Sequence, residues 1–272
     1  EPYLNLPFLA VRLAIYFAFW VFAAWLFLRT SVRQDGSGDP KLSVRMERLS
    51  APFLLLYALT VTFASFDLLM ALDGHWYSTI FGVYFFAGCI LGWFALMPLI
   101  FLVLQRRGIL ARTISPEHYH DIGKFTFGFV VFWAYIAFSQ FMLIWYGNLP
   151  DETGWYLRRQ TGGWGWIGIA LIFGHFVIPF LFLLPRWVKR RPVWLTAGGL
   201  LILVMHWVDL YYVIMPELSH EAAGLPLSIL DLTCWVGIGG VFLAGVFWIL
   251  GKQSLVPERD PRLAESLSFE NV

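Results

Sequence analysis

The chain has 272 residues, of which 59% are hydrophobic and 14% are charged, and its formal net charge is +1. Charged residues make up about a quarter of an ordinary soluble domain, so this composition excludes that class. The near-zero net charge also gives no support for a nucleic-acid partner, because binding a polyanion requires a basic surface.

Seven long apolar segments predict an all-α, polytopic transmembrane helix bundle. Each segment is long enough, at ~1.5 Å per helical residue, to cross ~30 Å of hydrocarbon. The predicted spans are residues 8–28, 51–72, 79–104, 121–147, 164–185, 193–214 and 226–250. We assign residues 1–250 to the bundle and residues 251–272 to a cytoplasmic tail.

Lysine and arginine residues accumulate in every second loop between these spans, and such loops lie on the same side of the membrane. Fifteen of the nineteen fall on one side, so the positive-inside rule predicts an outside N-terminus and a cytoplasmic C-terminus. On this side the basic loops are expected to contact anionic lipid headgroups. The fifteen residues are Arg29, Arg33, Lys41, Arg45, Arg48, Arg106, Arg107, Arg112, Arg186, Lys189, Arg190, Arg191, Lys252, Arg259 and Arg262.

The first two spans are joined by residues 30–49, which we predict to be a polar loop because residues 34–40 (QDGSGDP) are typical of turns. In the second span, Asp67 shares a helix face with small residues and is expected to point into the bundle. Asp73 and His75 follow it at the outer boundary. In the third span, Gly88 and Gly92 are spaced as in the small-residue ridges on which membrane helices pack closely.

The fourth span carries a stripe of polar residues. Ser115 and Pro116 form an N-cap and first-turn signal, so this helix is expected to begin in the cytoplasm and to run to about residue 147. At 100° per residue, most of its polar groups then share one face, among them Asp121, Lys124, Tyr135 and Ser139. A neutral ion pair between Asp121 and Lys124 is one interpretation, and a hydrated proton path along the whole stripe is the other.

The last three spans contribute ionisable residues at membrane depth. These are His175 in the fifth span, His206 and Asp209 in the sixth, and Asp231 about two turns inside the seventh. An ionisable group within a membrane costs ~2.5–3.5 kcal/mol on insertion scales and persists only when it is paired or hydrated. We therefore predict an outer half-path for protons, beside the inner half-path along the polar stripe of the fourth span. His175 either links the two half-paths or is a core residue whose hydrogen bonds are satisfied. The outer half-path consists of Asp67, Asp73, His75, His206, Asp209 and Asp231.

Neither a haem site nor a metal site is predicted for this chain. A bis-histidine haem needs two histidines at similar depth on facing helices. His75 and His120 are expected at opposite boundaries, and His175 and His206 are expected to differ in depth. The chain also lacks a Cys-x-x-Cys-His haem-attachment motif and a His-Glu-x-x-His metal motif.

Longer runs of sequence resemble the F subunit (ActF) of bacterial alternative complex III over essentially the whole chain. That subunit is similar to membrane anchors of the NrfD and polysulfide-reductase type, which have ten helices. The chain departs from this pattern by lacking about three N-terminal helices, which puts the first helical bundle and any quinone pocket in it in doubt. The runs are residues 3–8 (YLNLPF), 65–73 (SFDLLMALD), 75–79 (HWYST), 117–121 (EHYHD), 127–140 (FGFVVFWAYIAFSQ), 145–153 (WYGNLPDET) and 260–271 (DPRLAESLSFEN).

The resemblance implies a membrane subunit of a quinol:electron-acceptor oxidoreductase in the bacterial cytoplasmic membrane. Menaquinol or ubiquinol would be oxidised by the complex, with electrons passing through partner subunits. The implied partners are a homologous C membrane subunit, an iron–sulfur subunit, and multihaem and monohaem cytochrome c subunits. This chain would hold no redox centre and would have a structural role together with proton translocation. Two alternatives stay open, namely a pure scaffold and a quinone-binding anchor with an aromatic cleft near Asp67 and His75.

Overall fold

The structure, a computed structural model, describes residues 3–218 and 228–271. Within these ranges the chain is helical and contains no strand, which confirms the predicted all-α class. Seven of the helices are long and apolar enough to cross a membrane, as in a multi-pass membrane protein. Residues 226 and 227, where the seventh predicted span begins, lie outside the described residues.

The helices are numbered in chain order. A short 3₁₀ turn at Met70–Leu72 follows the second helix, and a π-helical segment at Ile172–Val177 interrupts the sixth. The helices are α1 (Leu6–Ser37), α2 (Pro40–Leu68), α3 (Phe81–Arg106), α4 (Pro116–Gly147), α5 (Pro150–Gln160), α6 (Trp164–Leu183), α7 (Arg186–Arg190), α8 (Pro192–Leu218), α9 (Ile229–Leu250) and α10 (Leu263–Leu267).

The connection between α1 and α2 is much shorter than the loop predicted over residues 30–49. Only Gly38 and Asp39 separate the two helices. Gly38 adopts the left-handed conformation (φ 65°) that ends a helix at a glycine. The Gln34 side chain donates to the Ser43 hydroxyl at 2.5 Å and holds the two helix ends together. A helix can continue beyond the hydrocarbon, because water satisfies the polar groups that it exposes there. The polar residues between the first two spans therefore extend α1 and α2 and do not form a long loop.

The start of α4 agrees with the predicted cap. Ser115 is the N-cap residue, and its hydroxyl accepts from the backbone N–H of Glu117 at 3.3 Å. The His118 ring nitrogen accepts from the backbone N–H of Ser115 at 3.1 Å, which completes a capping box. The helix then runs unbroken to Gly147 and ends at Asn148 in a left-handed conformation.

The chain divides into two compact units. The core unit comprises Ala58–Leu225 and Phe269–Val272, and in it α8 packs against α3, α4 and α6, while α4 also packs against α3 and α6. Its apolar interior is formed by fully buried residues from these helices, including Leu91, Ala95, Val130 and Ile202. Glycines permit the close packing, since a Cβ atom on Gly199 would lie 2.4 Å from the carbonyl oxygen of Ala95.

The terminal unit comprises Glu1–Tyr57 and Pro226–Ser268. An open apolar groove of about 440 Å³ lies between α1 and the first part of α2 and is lined mainly by aromatic side chains, including Phe19, Phe27 and Phe53. In the tail, Arg259 donates to the carbonyl oxygen of Gly36 at 3.0 Å. The Ser43 hydroxyl donates to Asp260 at 3.2 Å, so this part of the tail is held against the α1–α2 connection.

Candidate functional site

The carboxylate of Asp209 is the centre of a buried polar cluster in the core unit. Asp209 lies on α8 with 2% of its surface exposed. The Tyr84 hydroxyl on α3 donates to one carboxylate oxygen, and the Trp133 indole nitrogen on α4 donates to the other at 3.2 Å. Side chains from three helices therefore converge on this carboxylate, and both of its oxygens have donors, as burial requires.

Two histidines lie beside this carboxylate. His175 is 0% exposed and lies in the π-helical segment of α6, with its ring centroid 4.1 Å from that of Trp133. The ring of His206, one turn before Asp209 on α8, is 6.1 Å from that of His175. The two rings, which were expected at different depths, are therefore neighbours in the core unit. Irregular π-helical turns change the register of a helix and are frequent at functional sites.

Three nitrogen atoms of this histidine pair lack hydrogen-bond partners among the described residues. They are Nδ1 and Nε2 of His175 and Nδ1 of His206. Buried polar atoms are nearly always bonded to protein or to water, so an orphaned nitrogen indicates a position for water or a transferable proton. No protein partner for His175 lies among the described residues, so its role as a relay member or as a satisfied core residue stays a prediction.

A narrow cavity adjoins the cluster and is lined by Tyr84, Gly88, His206 and Asp209, with apolar residues around them. About 10 Å³ of it is open to the centre of a water molecule, which is room for about one water. A cavity that holds a benzene ring measures about 150 Å³. The cavity therefore has no room for a quinone ring or a haem macrocycle, although it suits a single water that bridges polar groups.

Glycines on α3 make room for the His206 ring. A Cβ atom on Gly88 would lie 2.8 Å from the ring carbon Cε1, and one on Gly92 would lie 3.4 Å from Cδ2. The Gly88–Gly92 spacing, which predicts close helix packing, here accommodates the His206 ring against the backbone of α3.

Replacing Gly88 with alanine is expected to push the His206 ring out of its position beside the cavity. The contact of 2.8 Å is too short for any Cβ atom, and overpacking of this kind costs about 1–3 kcal/mol. Thermal unfolding of the detergent-solubilised protein measures this loss of stability. The double variant Gly88→Ala/His206→Ala should recover most of the lost stability, because the clashing ring is absent. Equal destabilisation by the single and double variants would contradict this explanation.

A network of four charged residues lies near the end of α8. The Arg159 side chain on α5 is 0% exposed and bonds to Glu217 at 2.9 Å and to the carbonyl oxygens of Tyr212 and Val213. Arg158 contacts both Glu217, at 3.1 Å, and Asp73. The two arginines and two carboxylates balance in charge. Arg159 also satisfies backbone carbonyls in the last turns of α8, where a cation interacts favourably with the helix dipole.

The pKa values of this network follow from burial and from its partners. Burial is the largest influence on Asp73 and would raise its pKa, but the backbone N–H of His75 and the Arg158 guanidinium outweigh it, so the pKa of Asp73 is lowered. Burial lowers the pKa of Arg159 to about 10 against the opposing effect of Glu217. Both residues therefore remain charged at neutral pH, and the ion pairs persist.

The predicted stripe on α4 faces away from the interior of the core unit. Tyr135 is 64% exposed, whereas Thr126 and Gln140 on the opposite face are buried. Asp121 and Lys124 form a partly exposed ion pair at 2.5 Å, and Lys124 also donates to Asn271 at 2.7 Å. The structure therefore brings Asp121 and Lys124 together. It does not connect them through Tyr135 and the half-buried Ser139 to the Asp209 cluster, and a proton path along this stripe stays a prediction.

The remaining predicted residues are dispersed. Asp67 is buried in α2, and His75 is exposed in the loop that follows. Asp231 was expected about two turns inside its helix, but α9 begins at Ile229 and places Asp231 in the first turn. There its carboxylate accepts from the backbone N–H of Ser228 at 2.9 Å in a capping box, and it belongs to the terminal unit. A helix cap is a sufficient structural reason for this acidic residue.

Sequence reasoning missed five residues of the cluster and network, namely Tyr84, Trp133, Arg158, Arg159 and Glu217. Tyr84 and Trp133 resemble the many other aromatic residues of apolar spans, so no sequence signal separates them. Arg159 and Glu217 carried a signal, because both adjoin membrane spans on the side that has few basic residues. Such isolated charges are candidates for mutual pairing.

No protein-family model and no curated protein sequence matches this chain.

Proposed function

We propose that this chain is a multi-pass membrane subunit of a bacterial quinol:electron-acceptor oxidoreductase of the alternative complex III type, and that its core unit conducts protons. The resemblance of its long sequence runs to the F subunit supports the first part. The observation that carries the second is the buried Asp209 carboxylate, held by Tyr84 and Trp133 beside two histidines with orphaned nitrogens. An ionisable residue at membrane depth is a functional candidate by default.

The cluster has the chemical groups that a proton relay needs. Carboxyl, phenol and imidazole groups can each take up and release a proton, and the adjoining cavity has room for about one bridging water. A proton on Asp209 can pass to His206, one helical turn away, through that water. The unpaired nitrogens of His175, one a donor and the other an acceptor in the neutral ring, add a further proton-exchanging group to the cluster.

The cluster continues towards one end of the core unit. The Tyr212 hydroxyl, about one turn after Asp209 on α8, donates to the carbonyl oxygen of Arg159 at 3.4 Å. Glu217 follows about two turns after Asp209 and belongs to the charged network that reaches the surface at Arg158. Towards the basic end, the hydroxyl of the fully buried Thr126 is occupied by the carbonyl oxygens of Ile122 and Phe94. The other fully buried residues there include the apolar Leu91, Ala95, Val130, Leu195 and Ile202. This arrangement favours proton exchange through the Glu217 end.

The remaining assignments follow from charge and resemblance. The basic loops lie in the cytoplasm in this proposal, together with the C-terminus, and the Glu217 end faces outside. The membrane is the bacterial cytoplasmic membrane. Quinol oxidation, iron–sulfur clusters and c-type haems belong to the partner subunits, so electrons do not pass through this chain.

The test replaces Asp209 with asparagine in the assembled complex, reconstituted in vesicles. Because asparagine is similar in size but cannot carry the proton, proton translocation per electron should fall while quinol oxidation continues near the wild-type rate. Asp121→Asn is the matched control, since Asp121 lies in a partly exposed pair outside the cluster, and it should leave the stoichiometry unchanged.

Both quantities are measured in the same vesicles, after subunit composition has been checked. An unchanged proton-to-electron ratio in an intact Asp209→Asn complex would retire the relay and favour a scaffold. A reduced ratio in Asp121→Asn alone would move the path to the α4 stripe.

A further inference from the structure

A hydrogen-bonded pair of side chains joins α4 to α5. Gln140 on α4 is 3% exposed, and its amide nitrogen donates to the Tyr156 hydroxyl on α5 at 3.2 Å. Gln140 follows Trp133 by seven residues, so both lie on the same face of α4, about 10 Å apart along its axis. Tyr156 precedes Arg159 by three residues, which is about one turn of α5. Because Trp133 donates to Asp209, the pair connects a helix of the Asp209 cluster with a helix of the charged network.

The Tyr156 phenol interacts with both the Asp209 cluster and the charged network. Tyr84, whose hydroxyl donates to Asp209, interacts electrostatically with Tyr156, and both rings pack against the same apolar cluster. The Tyr156 phenol also interacts electrostatically with the Arg159 guanidinium, which is bonded to Glu217 at 2.9 Å. Tyr156 is therefore a hydroxyl group with partners at both ends of the interval between Asp209 and Glu217.

The pair has hydrogen-bonding capacity that no described side chain uses. Gln140 Oε1 is buried and has no donor among the described residues. The Tyr156 hydroxyl accepts from Gln140, and the part of the chain that the structure describes offers no acceptor for its own proton. Buried polar atoms are nearly always bonded to protein or to water, so these two groups indicate a position for water beside the pair.

The other phenol near the charged network is less suited to proton transfer. Tyr212 donates its proton to the carbonyl oxygen of Arg159 at 3.4 Å, and a carbonyl oxygen has no proton to pass on. The Tyr156 phenol keeps its proton at neutral pH, because burial raises its pKa against the opposing effect of the Gln140 hydrogen bond. A neutral hydroxyl can take a proton on its oxygen while it releases its own, and it remains uncharged afterwards.

We propose that Tyr156, oriented by Gln140, transfers protons between the Asp209 cluster and Glu217. A proton that leaves the Asp209 carboxyl reaches the Tyr156 oxygen through water, while the proton of the hydroxyl leaves towards Glu217. One proton enters and one leaves, so the phenol is unchanged once its hydroxyl has turned back. Gln140 is a positioning residue, because its amide fixes the direction of the hydroxyl and carries no proton. This inference rests on the proposed function, since it names the route by which protons leave the same relay.

Tyr156→Phe in the assembled complex, reconstituted in vesicles, tests the transfer. Only the hydroxyl is removed, so quinol oxidation should continue while the proton-to-electron ratio falls to about the value of Asp209→Asn. Tyr146→Phe is the control, because Tyr146 is an exposed tyrosine of α4 outside the cluster and the network, and its ratio should equal that of the wild type. A wild-type ratio in Tyr156→Phe, with or without a fall in Tyr212→Phe, would overturn the proposal.

Two substitutions of Gln140 test its positioning role separately from packing. Gln140→Leu keeps a side chain of similar size but removes the hydrogen bond, so the ratio should fall less than in Tyr156→Phe, because the hydroxyl is present but not oriented. Gln140→Glu should keep the ratio near that of the wild type, because a buried protonated carboxyl offers both a donor and an acceptor to the hydroxyl. Equal ratios in the wild type and in Gln140→Leu would overturn the positioning role. Because each member of the pair is changed separately, failure of one variant to assemble leaves the other as the test.

Asp209→Asn is measured in the same vesicles, so that failure of this route and failure of the proposed function can be distinguished. A reduced ratio in Asp209→Asn beside a normal ratio in Tyr156→Phe overturns only the transfer through Tyr156. Normal ratios in both variants overturn the relay itself and, with it, the proton-conducting part of the proposed function.

Discussion

Glu217→Gln is expected to destabilise the protein by about 3–5 kcal/mol, because it removes one partner of a buried ion pair and leaves the other charged. Arg159 is 0% exposed and cannot turn to solvent, so its charge would lose its neutralising carboxylate inside the protein. Arg158 would keep Asp73 as its partner. The midpoint of thermal unfolding in detergent should fall strongly at neutral pH.

The matched control is Glu265→Gln in the exposed pair of Arg262 and Glu265 on and beside α10. Both of these side chains face solvent, and exposed pairs contribute about 0–1 kcal/mol. A small and equal effect of the two substitutions would show that the Arg159 charge is compensated by the carbonyl oxygens of Tyr212 and Val213 without Glu217.

Gly199→Ala is expected to cost about 1–3 kcal/mol or more, because the new methyl group has no room. Its Cβ atom would lie 2.4 Å from the backbone oxygen of Ala95. A flexible side chain could turn aside, but backbone cannot move without separating α3 from α8. Those two helices carry Tyr84, His206 and Asp209, so the Asp209 cluster should be disturbed as well.

Thermal unfolding of the purified subunit measures this cost, with Gly237→Ala as its control. Gly237 lies in α9 with nothing within 4 Å of a Cβ position, and alanine is the better helix former. The control should therefore be neutral or slightly stabilising. If Gly199→Ala unfolded at the wild-type temperature, the close approach of α3 and α8 would be contradicted.

Local sequence features account for the number and type of the helices. Seven apolar segments of sufficient length predict seven potential membrane spans, because backbone polar groups in hydrocarbon must bond within their own helix. Ser115 and Pro116 likewise predict the start of α4, since N-capping depends on a few consecutive residues. The extent of α1 and α2 beyond the membrane was missed, because polar residues past the boundary are compatible with either a helix or a loop.

The orientation of α4 about its axis required the tertiary structure. Polar residues occur on both of its faces, and helical periodicity groups them without telling which face is buried. Packing decided that Trp133 and Gln140 face the interior and that Tyr135 faces outward.

The Asp209 cluster could be predicted only in part. The sequence by itself placed Asp209, His175 and His206 within apolar helices that are long enough to cross a membrane, because hydropathy and helix length depend on local sequence alone. The tertiary structure decided that the two histidines are neighbours. His175 lies in the π-helical segment of α6, and the His206 ring lies in the space beside Gly88, where helices that are distant in the chain meet. The pairing of Arg159 with Glu217, which are 58 residues apart, depends on the same helix packing.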